Sequence, residues 1–408
     1  MDTPSNFKVV WSRLRDAYGG ADEVGEILSQ LGRGEDAWGE LYNRVLHQGT
    51  IYEATAPVAA WLIDALTTGK LGARMIPVGK PFGSDQTLSE RTLAMGLLSG
   101  LASSAVKATV ATEQSHVSSG QTRERYAAIG TQVLEALRSG IPLFEGALAD
   151  DQREIRLTSA AILKAVALDR QAKFVAVRKH YDKEPDCEVR VALLSALNRL
   201  SEADRTWFDY LVSILDRPCS GHEKFYALAY LIQRFGAGVP ERFSDQFGEL
   251  FATLPEPGTL DTGMLSDLED PATLFWRATR ALKPATTIAV LCRALDMCGE
   301  PKGYSGRLKV LRIAEWLLRV VSEDDRTGWD QRRYRPGATP EHSYTGIEEV
   351  TKPGTWVRSQ RGRAALKAIA ESKAFWLVNT NLLSLFGLPR EREPLRKLIR
   401  PRPASKTL

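Results

Sequence analysis

The sequence has few cysteines, few histidines, little net charge and no long apolar run, and each shortage removes a class of protein. Cysteine occurs only at Cys187, Cys219, Cys292 and Cys298. None forms a C-x-x-C pair, and the gaps match no zinc-ligand spacing. The expectation is buried free thiols in a reducing cytosol, where a free cysteine packs as a small hydrophobe. Histidine occurs five times, at positions 47, 116, 180, 222 and 342. His222-Glu223 and Glu341-His342 invite a metal reading, but two isolated histidines lack the further partners that a site needs. No metal and no cofactor is therefore expected. G-x-S-x-G, a Walker loop, H-E-x-x-H and a dinucleotide fingerprint are absent, so no catalytic residue is predicted.

Charge is nearly balanced, with 54 Lys+Arg against 50 Asp+Glu. The net +4 is too small for a dedicated binder of nucleic acid or anionic membrane. Its distribution is uneven. Residues 326–408 carry 17 basic and 7 acidic side chains, a net of +10, which leaves −6 on residues 1–325. No apolar run approaches the roughly 18 residues of a membrane helix. The opening MDTPSNFKVVWSRL has no basic stretch followed by an apolar core, so no signal peptide is expected and a cytoplasmic location is.

The apolar spacing is helical almost throughout. It predicts helices over Phe7–Tyr18, Ala21–Leu31, Ala37–His47, Tyr52–Thr67 and Leu88–Ala111, and others onward to Gln360–Glu371 and Phe375–Phe386. Gly69–Thr87 and the Arg-, Pro- and Gly-rich Glu323–Thr355 read as loops. Within the helical part a segment recurs. Glu154, Ile155, Arg156 and Leu163 align with Glu188, Val189, Arg190 and Leu197 at an offset of 34 residues. A further shift of 35 brings Glu223, Tyr226, Ala227, Leu228 and Leu231 into register, with Phe225 in place of the arginine. A period of this size indicates helix pairs that cannot bury their apolar stripes alone and so stack on one another.

Near the N-terminus stand Ala17-Tyr-Gly-Gly-Ala-Asp-Glu-Val24, Trp38-Gly-Glu-Leu-Tyr42 and His47-Gln-Gly-Thr-Ile-Tyr-Glu-Ala-Thr-Ala-Pro57; near the other end stands Gly387-Leu-Pro-Arg-Glu-Arg392, followed by Leu395. These runs resemble a group of bacterial, actinobacterial-type HEAT-repeat domain-containing proteins. The resemblance implies an α-solenoid and no particular reaction.

Several short motifs admit both a structural and a chemical role. His47-Gln48-Gly49 would serve as a helix stop. Gly49 supplies a left-handed residue, His47 caps the last carbonyls of the preceding helix, and Thr50 caps the next helix with Glu53 completing a capping box. Tyr52 belongs to the same motif. The competing reading is a ligand-contacting corner. Arg156 and Arg190 would bond an Asp or a backbone carbonyl of a neighbouring repeat, which suits the guanidinium fork; the competing reading is phosphate binding in one groove. HEAT-type deoxyhypusine hydroxylases and HEAT-like DNA glycosylases are enzymatic precedents. The first needs more His-Glu pairs than occur here. The second needs an aromatic-lined basic groove, whereas Trp207, Trp276 and Trp316 at helical spacing read as packing. Arg332-Arg333-Tyr334-Arg335 is the candidate partner-binding run. Arg390, Arg392, Arg396, Lys397, Arg400 and Arg402 crowd the tail, either for an anionic partner or as a cap over the last helix.

The expected fold is all-α: a right-handed solenoid of seven or eight HEAT-like helix pairs. Residues 1–322 form the array, 323–356 an irregular loop or insert, and 357–408 a C-terminal helix pair with a basic tail. The expected function is a non-catalytic scaffold that binds a protein partner on its concave face, as in toxin immunity or a defence or regulatory complex. The alternative is a nucleic-acid-binding solenoid, including a glycosylase-type enzyme.

Overall fold

The computed structural model describes residues 9–78, 86–110, 123–166, 170–254, 269–323, 354–378 and 382–400. These are mostly helical, with two short strand pairs. The chain divides into two compact units, Met1–Glu202 with Leu260–Leu268 and Ala203–Thr259 with Glu269–Leu408.

The first unit opens differently from the sequence reading. Of the helix expected over Phe7–Tyr18, the described residues 9–18 form none beyond a single 3-10 turn. A 3-10 turn at Trp11–Arg13 leads instead into a pair of two-residue strands, β1 (Arg15–Asp16) and β2 (Gly19–Gly20). Two local features end the helical pattern. The Asp16 carboxylate accepts the Tyr18 N–H at 2.8 Å, and Gly19 sits at φ +131. The helices that follow are α1 (Asp22–Gly32), α2 (Trp38–Val45) and α3 (Thr55–Thr67). The expected loop Gly69–Thr87 contains a hairpin, β3 (Met75–Val78) against β4 (Gln86–Ser89). Its first strand alternates: Ile76 is buried while Met75 is 56% exposed.

Ser89 ends that hairpin and caps α4 (Glu90–Thr109), its hydroxyl accepting the Thr92 N–H at 3.1 Å. α4 is buried along most of its length, because α5 (Arg123–Ser139) and α7 (Arg153–Val166) both pack on it. After α6 (Ile141–Ala147) and α8 (Arg170–Tyr181) comes α9 (Cys187–Leu200). The 34-residue offset is reproduced by the first residues of α7 and α9, and these two helices lie against each other. Asp186 caps α9 through Glu188 N and Val189 N at 2.9 and 3.0 Å.

The second unit runs α10 (Arg205–Asp216), α11 (Gly221–Phe235), α12 (Glu241–Thr253), α13 (Pro271–Thr279), α14 (Pro284–Met297) and α15 (Gly303–Glu323). It continues with α16 (Gln360–Glu371), α17 (Lys373–Leu377), α18 (Leu382–Leu385) and α19 (Arg392–Ile399). The single helix expected over Phe375–Phe386 is thus α17 and α18, and α19 follows where a tail was read. Helices here pack on their next-but-one neighbours: α11 on α13, α12 on α14, α14 on α16. The core is aromatic. Phe251 stacks on Phe275 with ring centres 4.0 Å apart, and Phe225, Phe247 and Trp316 extend the cluster. Each such ring pair adds about 0.5–1.5 kcal/mol beyond the area that it buries. Trp207 and Trp316 are buried and Trp276 stacks on Trp316, so these tryptophans pack as the sequence suggested. No described helix is long and apolar enough to cross a membrane.

Candidate functional site: an aromatic corner over a buried ion pair

In the first unit, the runs around Tyr18, His47 and Tyr52 converge. The anchor is Asp16, whose side chain is fully buried. Its Oδ1 accepts the Tyr18 N–H, and its Oδ2 accepts Arg44 Nη1 at 2.8 Å. Arg44 projects from the last turn of α2 and also pairs with Glu23 and with Glu40, the latter at 3.3 Å. The backbone locks the same elements together, since Ala17 N–H donates to the Arg44 carbonyl at 3.0 Å. A buried carboxylate costs several kcal/mol to desolvate, and this arrangement offsets that with a cation and an N–H donor.

Past α2 the chain reverses through His47-Gln48-Gly49. Gly49 has φ +76, the left-handed stop that the sequence suggested. Gln48 is also left-handed, at φ 50 and ψ 34. It is the one non-glycine among the described residues with positive φ, a conformation that costs roughly 1–2 kcal/mol. The proposed capping box is not formed. α3 starts at Thr55, because the intervening Ile51–Ala54 segment makes its own turn: the Thr55 hydroxyl accepts Tyr52 N–H and donates to the Val45 carbonyl, both at 2.9 Å. Glu53 serves the β1–β2 strand pair and α5 instead. Its carboxylate accepts Arg15 N–H at 3.1 Å and Arg125 Nε at 3.0 Å. Nor does His47 cap α2 carbonyls. Its ring lies against Tyr18, with centroids 5.9 Å apart and planes at 59°.

Above the ion pair lies a set of aromatic rings. Tyr18 is 65% exposed, and the Arg44 guanidinium sits 5.5 Å from its ring centre. Tyr52 and Tyr126, the latter from α5, are half-buried. Burial pushes the Tyr52 phenol above its ordinary range, with Tyr126 adding to the rise and Thr50 opposing it. Burial pushes Tyr126 up as well, against a hydrogen bond from the Ile51 backbone. Both phenols are therefore neutral donors at physiological pH. The corner thus offers an exposed ring, an imidazole and two neutral phenols on a base held by ionic and backbone bonds.

The other candidate residues fall elsewhere. Arg156, on α7, makes a two-pronged bond to the buried Glu184, Nε to Oε2 and Nη2 to Oε1, both at 2.9 Å. Its Nη1 reaches the carbonyls of Asp150 and Asp151 at 2.9 and 3.1 Å. Glu184 in turn accepts the N–H of Asp186, the cap of α9, so this arginine ties α7 to the start of α9. Arg190 is half-buried on α9, and its backbone N–H makes the ordinary first-turn helical bond to Asp186 O at 2.9 Å. Arg332, Arg333, Tyr334 and Arg335 lie outside the described residues, as does Arg402. In the tail, Arg392 donates to the carbonyls of Ala370 and Glu371 at the end of α16, and Leu395 is buried. Among the described residues no group of three or more His, Cys, Asp or Glu could hold a metal ion. His222 is half-buried on α11, and the neighbouring Glu223 carboxylate turns to Arg217 at 3.2 Å.

Sequence reasoning singled out His47, Gln48, Gly49 and Tyr52 as a structural motif and missed the residues that they meet. Asp16 was placed inside a helix that does not form. Arg44 and Tyr126 carried no local signal, because they join the corner only through packing. No family profile, no curated protein and no solved structure matches the chain.

Proposed function

We propose that this protein is a non-catalytic scaffold of stacked helix pairs that binds a protein partner, with the Tyr18–His47 corner as one anchor of that contact. The observation that carries the reading is the 65% exposure of Tyr18 above the ion pair of Arg44 with the fully buried Asp16. Tyrosine and arginine are enriched where protein interfaces concentrate their binding energy. A ring already held in place loses little freedom on binding. The HEAT-like solenoid and its concave face belong to the same proposal. They are supported by the 34-residue repeat, by the packing of α7 on α9, and by next-but-one packing of α11, α12 and α14 in the second unit.

The test is a paired capture experiment from nuclease-treated native lysate, using the intact chain and a Tyr18→Ala/His47→Ala variant. Both side chains are at least partly solvent-facing, so the variant is expected to keep its helicity and melting temperature. A protein retained by the parent and lost by the variant is the expected result. Capture of the same proteins by both, or capture that disappears on nuclease treatment, would overturn the reading.

A further inference from the structure

The C-terminal part of the second unit is strongly cationic. Residues 354–400 carry ten basic and three acidic side chains, a net of +7, while the rest of the chain carries 44 basic and 47 acidic, a net of −3. The imbalance has a physical location. On α16, Leu366 and Ile369 face the core, whereas Arg361, Arg363 and Lys367 are exposed. At about 100° per residue, these three cations share one arc of roughly 160°. The small Ala364 lies between them and leaves the arc shallow. Arg363 is steadied by its Nη1 bond to the Arg358 carbonyl at 2.7 Å, which adds a further exposed arginine at the start of the helix. At the other end, the Arg392 bonds to Ala370 O and Glu371 O hold α19 against α16, and with it the exposed Lys397 and Arg400.

We infer that this face is a docking surface for a short acidic segment of a protein partner. Charge complementarity points to an anion, and three features point to a short peptide. The twelve residues of α16 span about 18 Å, the reach of about five or six residues of extended chain. A longer polyanion would run on past the patch onto a chain that has no net excess of cations to hold it. Single-stranded nucleic acid would want exposed rings to stack on, yet Trp356 and Phe375 are buried and Trp376 is half-buried. Arginine predominates over lysine on the patch, and its planar fork grips carboxylates with two parallel bonds.

The inference rests on the proposed function only in taking a protein as the partner. Its surface is distinct in sequence from the Tyr18–His47 corner. The test uses the full chain and a fluorescent Glu/Asp peptide of about ten residues, followed by anisotropy at roughly 50 mM salt, where surface charge is weakly screened. Three proteins are compared: the parent, Arg361→Glu/Arg363→Glu/Lys367→Glu, and a control of equal charge change at exposed sites elsewhere, Lys107→Glu/Arg199→Glu/Lys302→Glu. The patch variant should bind about tenfold or more weakly, and the control should stay close to the parent. If the patch variant melts early, alanine at the same three sites serves instead, with a smaller loss in the same direction. Failure of the parent to bind, equal weakening in both variants, or tighter binding of duplex DNA or single-stranded RNA than of the peptide would overturn the inference. Peptide binding that survives while the Tyr18→Ala/His47→Ala variant captures the same proteins as the parent would sink the corner alone.

Discussion

Arg44→Met separates a buried ion pair from its exposed companions. The Arg44 side chain is 13% exposed and meets three carboxylates: Asp16 at 0% exposure, Glu40 at 54% and Glu23 at 67%. Exposed pairs contribute about 0–1 kcal/mol each. Removing the cation from a buried carboxylate costs about 3–5 kcal/mol, because the anion stays behind with too few partners. Methionine keeps much of the apolar stem, so most of the loss comes from Asp16, which then retains the Tyr18 N–H but loses the Arg44 guanidinium. The expected loss is therefore about 3–5 kcal/mol, against under about 1 kcal/mol for Glu40→Ala. Asp16→Asn/Arg44→Met should recover a large part, since the double change removes both charges. Urea unfolding followed by far-UV circular dichroism gives the four free energies of the cycle, with a coupling of about 2–3 kcal/mol expected between the two sites. An Arg44→Met loss below about 1 kcal/mol, or a Glu40→Ala loss equal to it, would refute the claim that Asp16 organises the corner.

Three further outcomes follow from single contacts. Arg156→Ala should cost about 3–5 kcal/mol, because it strands the buried Glu184, whereas Arg205→Ala, whose pair with Asp209 is exposed on both sides, should change stability by less than about 1 kcal/mol; equal effects in denaturant titration would contradict the junction role given to Arg156. Gly130→Ala gains about 1 kcal/mol of helix propensity, but its Cβ would stand 2.8 Å from Ala105 O and 2.9 Å from Ala108 Cβ on α4, so overpacking of about 1–3 kcal/mol should win. A raised melting temperature would show that α4 and α5 do not approach so closely. Burial pushes the Cys292 thiol from 9.0 up to about 12. The unfolded chain therefore ionises first as pH rises, and stability present below pH 9 is lost across the window up to about 12, at up to roughly 1.4 kcal/mol per pH unit. Cys292→Ala should flatten that alkaline slope, and an unchanged slope would contradict the burial.

Much of the helical content was legible because it depends on local and short-range terms. α9, α12 and α16 begin and end where apolar spacing puts them, with acidic first turns in α9 and α12 and the cap residues Asp186 and Ser359 at the starts of α9 and α16. The misreadings share one cause. Phe7–Tyr18 has apolar residues at helical spacing, but the backbone is claimed by contacts absent from that spacing: the Asp16 side chain on Tyr18 N–H, the Gly19 conformation, and the Arg44 carbonyl on Ala17 N–H, 27 residues away. The β3–β4 hairpin was read as a loop because four residues of alternation are too few to outweigh the glycines around them.

From the sequence alone follow a mostly helical chain, a 34-residue repeat, the left-handed stop at Gly49 and a basic C-terminal portion on an otherwise slightly acidic chain. Those follow from periodicity, from the absence of a Cβ and from composition, which act over a turn or two of chain or need no coordinates. Three-dimensional packing is what brings Tyr18, Arg44, His47, Tyr52 and Tyr126 to one corner, sets Arg156 on Glu184 at the junction of two helices, and turns the cations of α16 outward. Such placements depend on which distant residue supplies the partner for a buried charge or hydrogen bond. Each partner is chosen by packing between helices, and the spacing of residues along the chain carries no record of that choice.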